Sequence, residues 1–345
     1  MLKIYQDSKI YIYCPAGVVT GGAELLHQLA DKLNRMGRHA YLVYFGNTPH
    51  DIPEAYKRYE ISIAEEIEEC EKNIVVVYEG IFEKSRETKR CQKFLWWLSV
   101  DHFYMVDREH ISLRELFRWN PALGAKEWIK RWCRLCGKQR NRSAHPITFA
   151  ELISKGDMHG YQSEYAQYFL QGRGVKNLCA LKDYINTEHF GPINTQGREN
   201  VVLYNPKKGW EFTRKLIQAA PDIVWKPLID MTRAEIITTM QSSKVYIDFG
   251  YHPGKDRLPR EAAMNGLCVI TGYKGSANFF EDVAIDSSYK FHQHNRNIPE
   301  ILTCIRETMA AYEERIKDFQ YYRDSIRREK AEFEAEIEHL FQVRY

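Results

Sequence analysis

Short runs of β-branched and aromatic residues alternate with amphipathic helical patterns along most of the chain, and this alternation limits the fold more than any other feature. KIYIYC (9–14) predicts a strand, AELLHQLADKLNRMG (23–37) a helix with apolar residues three and four apart, and HAYLVYFG (39–46) a second strand. NIVVVYEG (73–80) and KFLWWLSV (93–100) follow as strands, with the charged segment EKSRETKRC (83–91) predicted as a helix between them. Strands spaced by helices make βαβ units, which imply parallel sheet covered on both faces.

After a basic stretch the alternation resumes with the helix SEYAQYFLQGRG (163–174) and the strand KNLCALKDYI (176–185). Residues 186–199 are polar, rich in Gly, Asn and Thr, and aperiodic, as a linker is. A second series then runs NVVLYNP, EFTRKLIQAA, DIVWKPLI, RAEIITTMQ, KVYIDFG, REAAMNG, LCVITG. From Ile298 onward the composition is helical, with Pro299 suited to a first turn and no sustained heptad. The expected fold is α/β with two Rossmann-like doubly wound domains, 1–185 and 200–297, followed by helices over 298–345 that pack back across them. No internal repeat beyond this alternation and no low-complexity tract is present.

A chain of 345 residues exceeds the usual size of one core, which agrees with two domains. A net charge of +3 is too small for nucleic-acid binding driven by bulk charge, so charge is read locally. No apolar run reaches the ~18 residues of a membrane span, and MLKIYQDSKIYIYC lacks a signal-peptide core, so the expectation is a cytoplasmic protein. Eight scattered cysteines, several within predicted strands or helices, are expected to be reduced.

Open α/β sheets bind ligands where strand carboxyl ends meet helix amino ends. The first such loop, CPAGVVTGGAELL, carries Gly17, Gly21 and Gly22. It is not GxGxxG, and YFGN after the second strand has no acidic residue for a ribose, which argues against a nicotinamide dinucleotide. Its glycines serve either a ligand approaching the backbone or a tight turn with close helix packing. In the second series VLYNPKKGWEF puts Lys207 and Lys208 before a helix, where a phosphate site and a pair of solvated lysines are both open readings. PGKDRLPREAAMNGLCVIT (253–271) places Lys255 and Arg257 before a helix with Glu261 in its first turn. ITGYKGSANFFEDV adds Lys274, Gly275 and Ser276, the serine being also a natural N-cap. Cations gathered from neighbouring loops suit a diphosphate, and a lone carboxylate suits neutral hydroxyls, as in a nucleotide sugar.

GGAELLHQLADKLNRMGRHAYLV, LYNPKKG and LPREAAMNGLCVITGYKG, in this order from Gly21 to Glu281, resemble GT-B fold glycosyltransferases, similar to the retaining family 4 enzymes that build bacterial lipopolysaccharide, O-antigen or capsule. The resemblance implies a nucleotide-sugar donor held mainly by the second domain and a glycan or lipid-linked acceptor facing the first. It implies that Glu261 meets the ribose hydroxyls, Lys208 the diphosphate, and Gly21 and Gly22 the donor phosphate and sugar. The family's paired-glutamate motif would have its first member eight positions before Glu261, where this chain has Pro253. That departure bears on the sugar contact and the anomeric outcome, and keeps open a GT-B-like protein that binds a nucleotide sugar without turnover. No Asp-x-Asp motif is present, so no metal cofactor is expected, and side-chain cations with helix amino ends would take the leaving diphosphate's charge.

By the same resemblance Asp101 and His102, at the end of KFLWWLSVDHF, are the candidate catalytic residues, with Glu79 after VVVY a lesser one. The plain alternative is a carboxylate capping a turn beside an exposed histidine. Residues 118–142 interleave eight Lys/Arg with Trp119, Trp128 and Trp132. On a helix Trp128, Trp132 and Leu135 share a face flanked by Lys130, Arg131, Arg134 and Lys138, which fits either a helix lying on an anionic membrane or one packed on its own domain. Cys133 and Cys136 form one CxxC, and His145 leaves a zinc set incomplete.

Overall fold

The computed structural model describes residues 2–48, 50–105, 111–136 and 147–344, without the side chains of 134–136. In chain order the first elements are β1 (Lys9–Pro15), α1 (Gly21–Arg35), β2 (His39–Phe45), β3 (Ser62–Ile63), β4 (Ile74–Tyr78), β5 (Gln92–Trp97), α2 (Val100–Met105), α3 (Leu113–Trp119), α4 (Pro121–Cys136), α5 (Phe149–Lys155), β6 (Met158–Tyr161), α6 (Glu164–Gly172) and β7 (Leu178–Ala180). There follow β8 (Glu199–Tyr204), α7 (Trp210–Ala219), β9 (Val224–Pro227), α8 (Arg233–Ser242), β10 (Ser243–Asp248), α9 (Arg257–Met264), β11 (Cys268–Thr271), α10 (Ile298–Ala310), α11 (Tyr312–Arg315) and α12 (Gln320–Leu340).

The described residues form two compact units, one of 1–162, 166–181 and 334–345, the other of 163–165 and 182–333. Unit 1 holds a parallel sheet in the order β3-β2-β1-β4-β5-β6-β7. Ile74 to Val77 and Phe94 to Trp97 are buried throughout, as strands covered on both faces must be. Unit 2 holds a parallel sheet in the order β11-β10-β8-β9, with Val202, Leu203, Val245, Tyr246, Val269 and Ile270 in its core. α8 starts on a capping box, Thr232 with Glu235, and α10 takes Pro299 in its first turn as expected.

Three stretches differ from the sequence expectation, each for a local reason. Residues 79–86 form a 3₁₀ helix with Ile81 off helical geometry, not an α-helix over 83–91. The amides of Lys89 and Arg90 donate to the Glu69 carboxylate at 2.8 and 2.9 Å, so a side chain takes the donors a helix would have used. β6 went unread because MHGY contains His159 and Gly160, both poor strand signals. A Cβ on Gly160 would lie 2.5 Å from the Phe94 ring, so the glycine is what lets this strand sit beside β5. α9 opens at Arg257, which moves Glu261 from the first helical turn into the second.

Candidate functional site

The carboxyl ends of β8, β10 and β11 in unit 2 deliver three loops that interlock through glycines. Gly209 ends the β8 loop with φ +65° and caps α7; a Cβ there would lie 2.4 Å from the Phe249 carbonyl. A Cβ on Gly250 would in turn reach 2.7 Å from Lys208 Cβ. Gly275 in the β11 loop has φ +64°, and its Cβ would fall 1.9 Å from the His252 carbonyl oxygen. That oxygen accepts from the Ser276 amide at 2.8 Å. Only glycine permits these close passages, so the loop conformations are fixed by backbone packing.

Four charged side chains meet where the first two loops touch. Lys208 Nζ donates to Asp256 Oδ2 at 2.6 Å. His252, fully buried, lies with Nδ1 3.3 Å from Asp256 Oδ2 and Nε2 3.4 Å from Asp248 Oδ1. Asp248 also accepts from the Gly250 amide at 2.9 Å and the Tyr246 hydroxyl at 3.0 Å. Burial alone would discharge both groups, but the Asp248 and Asp256 carboxylates outweigh it for His252 and raise its pKa, while His252 and the Gly250 amide hold Asp248 below the ordinary carboxylate range. Asp248, His252 and Asp256 bring ligand-type atoms within 4.8 Å of one another. The imidazole turns opposite nitrogens toward the two carboxylates and Lys208 already holds Asp256, so the donors do not converge on one cation. They form an ion network whose charge balances when the His252 ring is protonated: two carboxylates, an ammonium and an imidazolium.

α7, ten residues long, has no side chain bonded at its amino end, which leaves its first amides pointing out beside Lys208. Lys207 is exposed, its amide turned onto Asn205 Oδ1 at 3.0 Å. Lys274 is also exposed, on the β11 loop. Arg257 is half-buried as the first residue of α9, and Glu261 lies one turn on, its Oε1 3.6 Å from His189 Nε2.

Two of the expected donor residues are engaged inside the unit. Ser276 is fully buried and donates its hydroxyl to the Gly254 carbonyl at 2.6 Å, so it ties loops together instead of capping a helix. Lys255 gives its ammonium to Glu329 at 2.8 Å. The same carboxylate pairs with Arg260 at 2.8 Å, and Arg260 pairs with Asp183 at 2.9 Å, a buried quartet of two cations and two anions. Arg260 also donates to the carbonyls of Lys255 and Asp256, at 2.8 and 3.2 Å, and so sets the loop that carries Asp256. Neither His252 nor Arg260 was singled out from the sequence. The only signal was an arginine on the otherwise apolar side of PREAAM.

On unit 1, Gly21 and Gly22 are the first residues of α1, exposed and capped by Thr20. A Cβ on Gly22 would meet only Leu98 at 3.9 Å, an ordinary contact, so sheet packing does not demand glycine there. Across the same carboxyl edge Glu79, buried after β4, accepts from the Leu98 amide at 2.9 Å and faces His102 Nδ1 at 3.6 Å. The Glu79 carboxylate beside it raises the pKa of His102, whose side chain is 56% exposed to solvent. His102 therefore pairs with Glu79, while Asp101 is buried one residue earlier on α2. Such a carboxylate–imidazole pair can hold an imidazole ready to accept or give a proton.

In the basic stretch Trp119 stacks on Tyr104 with ring centroids 4.5 Å apart. Trp128 and Trp132 on α4 are 52% and 59% exposed, and Ile129 between them 53%. Arg131 donates to the Ile111 carbonyl at 2.9 Å. The side chains of Arg134, Leu135 and Cys136, with Lys138 and His145, lie outside the described residues.

No protein-family model matches the sequence, and no curated protein matches it either. Solved structures do match it in fold. Sucrose-phosphate synthase from Thermosynechococcus elongatus aligns with a TM-score of 0.58 at 12% identity, over 97% of this chain and 98% of that one. HepE of Anabaena, in complex with UDP-glucose, aligns with a TM-score of 0.57 at 10% identity, over 96% and 98%. The catalytic domain of starch synthase IV from Arabidopsis thaliana, bound to ADP and acarbose, aligns with a TM-score of 0.52 at 10% identity, over 97% and 99%. With its two parallel sheets and C-terminal helices, the chain has the GT-B fold of these glycosyltransferases.

Proposed function

We propose that the protein is a glycosyltransferase that moves a sugar from a nucleotide sugar to a glycan or lipid-linked acceptor in bacterial surface polysaccharide synthesis. The observation that carries the reading is Lys208 beside the uncapped amino end of α7, with Glu261 on the next helix of the same sheet edge. A diphosphate is the natural ligand of the first pair and ribose hydroxyls of the second. When the bond from the anomeric carbon to the diphosphate oxygen breaks, the negative charge left on that oxygen is taken by the Lys208 ammonium and the α7 amides. Lys208 exchanges Asp256 for phosphate in this step, and His252, still facing Asp256, keeps that carboxylate compensated. In this reading the Lys208 ammonium and the α7 amides take the charge of the leaving diphosphate, the part a metal ion plays in other transferases.

Unit 1 we assign to the acceptor, with His102 held by Glu79 as the group offered to the acceptor hydroxyl, Asp101 supporting α2, and Gly21 and Gly22 leaving α1's first amides open. The order of motifs similar to retaining family 4 enzymes supports retention of configuration. Trp128, Ile129 and Trp132, exposed on α4 with Lys126 and Lys130 exposed beside them, support docking on an anionic membrane where a lipid-linked acceptor would reside.

Calorimetric titration with UDP, GDP, ADP and CMP, followed by turnover of the corresponding sugars with and without chelator, tests the reading. One nucleotide should bind, and Lys208→Ala should weaken it by about 10- to 100-fold, the worth of a charge-assisted hydrogen bond. Glu261→Ala should weaken it comparably without changing the melting temperature. Unaltered affinity in both variants would refute the site, and binding without turnover would favour the non-catalytic alternative that Pro253 raises.

A further inference from the structure

Unit 1 carries a second concave site at the opposite edge of its sheet, where the strands begin. The cavity measures about 860 Å³, within the ~300–1,000 Å³ of small-molecule sites. Its walls come from the residues leading into four adjacent strands: Lys3 and Tyr5 before β1, Glu71 and Lys72 before β4, Gln92 and Lys93 opening β5, and Asp157 before β6. β5 is six residues long, so the edge bearing His102 is about 20 Å away.

Seven Lys/Arg side chains line the cavity against two carboxylates, Glu71 and Asp157. Carboxylates from outside the wall engage some of them: Asp7 meets Lys72 at 3.0 Å, and Glu151 meets Arg86 at 2.6 Å and Lys155 at 3.1 Å. Glu71 reaches Arg90 at 3.7 Å. Lys3, Lys89 and Lys93 have no carboxylate at ion-pair distance among the described residues. Lys93 is buried, its ammonium donating to the Cys91 carbonyl, and burial lowers its pKa against the opposing pull of Glu69 and Asp157, neither of which reaches it at ion-pair distance. On the same wall Thr88 is also buried, and its hydroxyl has no hydrogen-bond partner in the protein. That oxygen is itself closed to solvent, so it offers no contact to a ligand entering the cavity, and the lysines carry the site.

We infer that this cavity binds a polyanion bearing phosphate or sulfate groups, with Lys3, Lys89 and Lys93 supplying the charge. The ligand class follows from the excess of cations over carboxylates, since neutral glycans would leave the lysines mutually repelling and a single carboxylate would compensate only one. The site is independent of the nucleotide-sugar reading, because none of its residues belongs to either candidate constellation.

Calorimetric titration of inorganic tripolyphosphate into the full chain carrying Lys208→Ala tests it, that background weakening the proposed nucleotide site. Saturable binding is expected. Adding Lys3→Glu and Lys89→Glu should weaken it at least tenfold at an unchanged melting temperature. Absence of binding, or affinity indifferent to the paired substitutions, would overturn the inference. Sedimentation with vesicles of phosphatidylcholine and phosphatidylglycerol identifies the source. Vesicle binding lost in the Lys3/Lys89 variant and displaced by tripolyphosphate assigns a lipid headgroup. Vesicle binding unaffected by those substitutions, with tripolyphosphate still bound by the parent, assigns a free anion.

Discussion

His252 sits between two carboxylates with its ring wholly buried, and its charge state should govern how readily Lys208 leaves Asp256. Its folded pKa is raised above the ordinary value of about 6.5. The imidazolium therefore persists below that raised value and is lost as pH rises through it. Nucleotide affinity should fall over the same interval, because a neutral ring leaves Asp256 uncompensated beside an incoming phosphate. Stability follows the same sign: the contribution is complete below about pH 6.5 and disappears as the folded group deprotonates. His252→Gln should flatten the pH dependence of nucleotide affinity measured by calorimetry, and a dependence as steep as in the parent would reject the assignment. At this scale the sequence was half legible. Lys208 and Gly275 announce themselves by following strands, whereas His252 and Asp256 lie four apart in a loop with no periodicity to pair them. Lys255 looked like a phosphate ligand because charge is visible in a sequence, while its partner Glu329, far along the chain, is not.

Among the elements, α9 shows most clearly what patterning can and cannot convey. REAAMNG was enough to announce a helix, but its start at Arg257 and the inward turn of Arg260 depend on Asp183 and Glu329, from distant segments. Removing one partner from a buried ionic group leaves the others uncompensated and costs about 3–5 kcal/mol. Arg260→Ala should lower the urea midpoint accordingly at unchanged slope, and weaken nucleotide binding because the carbonyls of Lys255 and Asp256 lose their donor. A cost below ~1 kcal/mol would mean that the quartet contributes little. β4 and β5 were legible because continuous apolar runs suit strands covered on both faces. β6 was not, because its glycine answers to the Phe94 ring on the neighbouring strand and not to any rule within its own segment.

For the whole molecule, the alternation of strand and helix was legible over most of both units and implied two doubly wound domains, while the GT-B fold came from the resemblance carried by the loop motifs and their order. Identities of 10–12% with the matching structures show how few side chains that fold requires. What the chain touches depends on surface residues that no pattern specifies. Trp128 and Trp132 could have faced inward on α4; they face solvent. Replacing both with serine should abolish sedimentation with anionic vesicles while leaving nucleotide affinity unchanged, and retained sedimentation would exclude α4 as the docking element.

The chain crosses between its two units more than once, and residues 334–345 return to unit 1. There the buried Phe341 ring meets Phe94 at 6.0 Å, and the Arg344 amide donates to the Ile4 carbonyl at 3.1 Å. During synthesis the larger sheet must therefore wait, one aromatic patch still wet, until a segment translated after the whole second unit has left the ribosome.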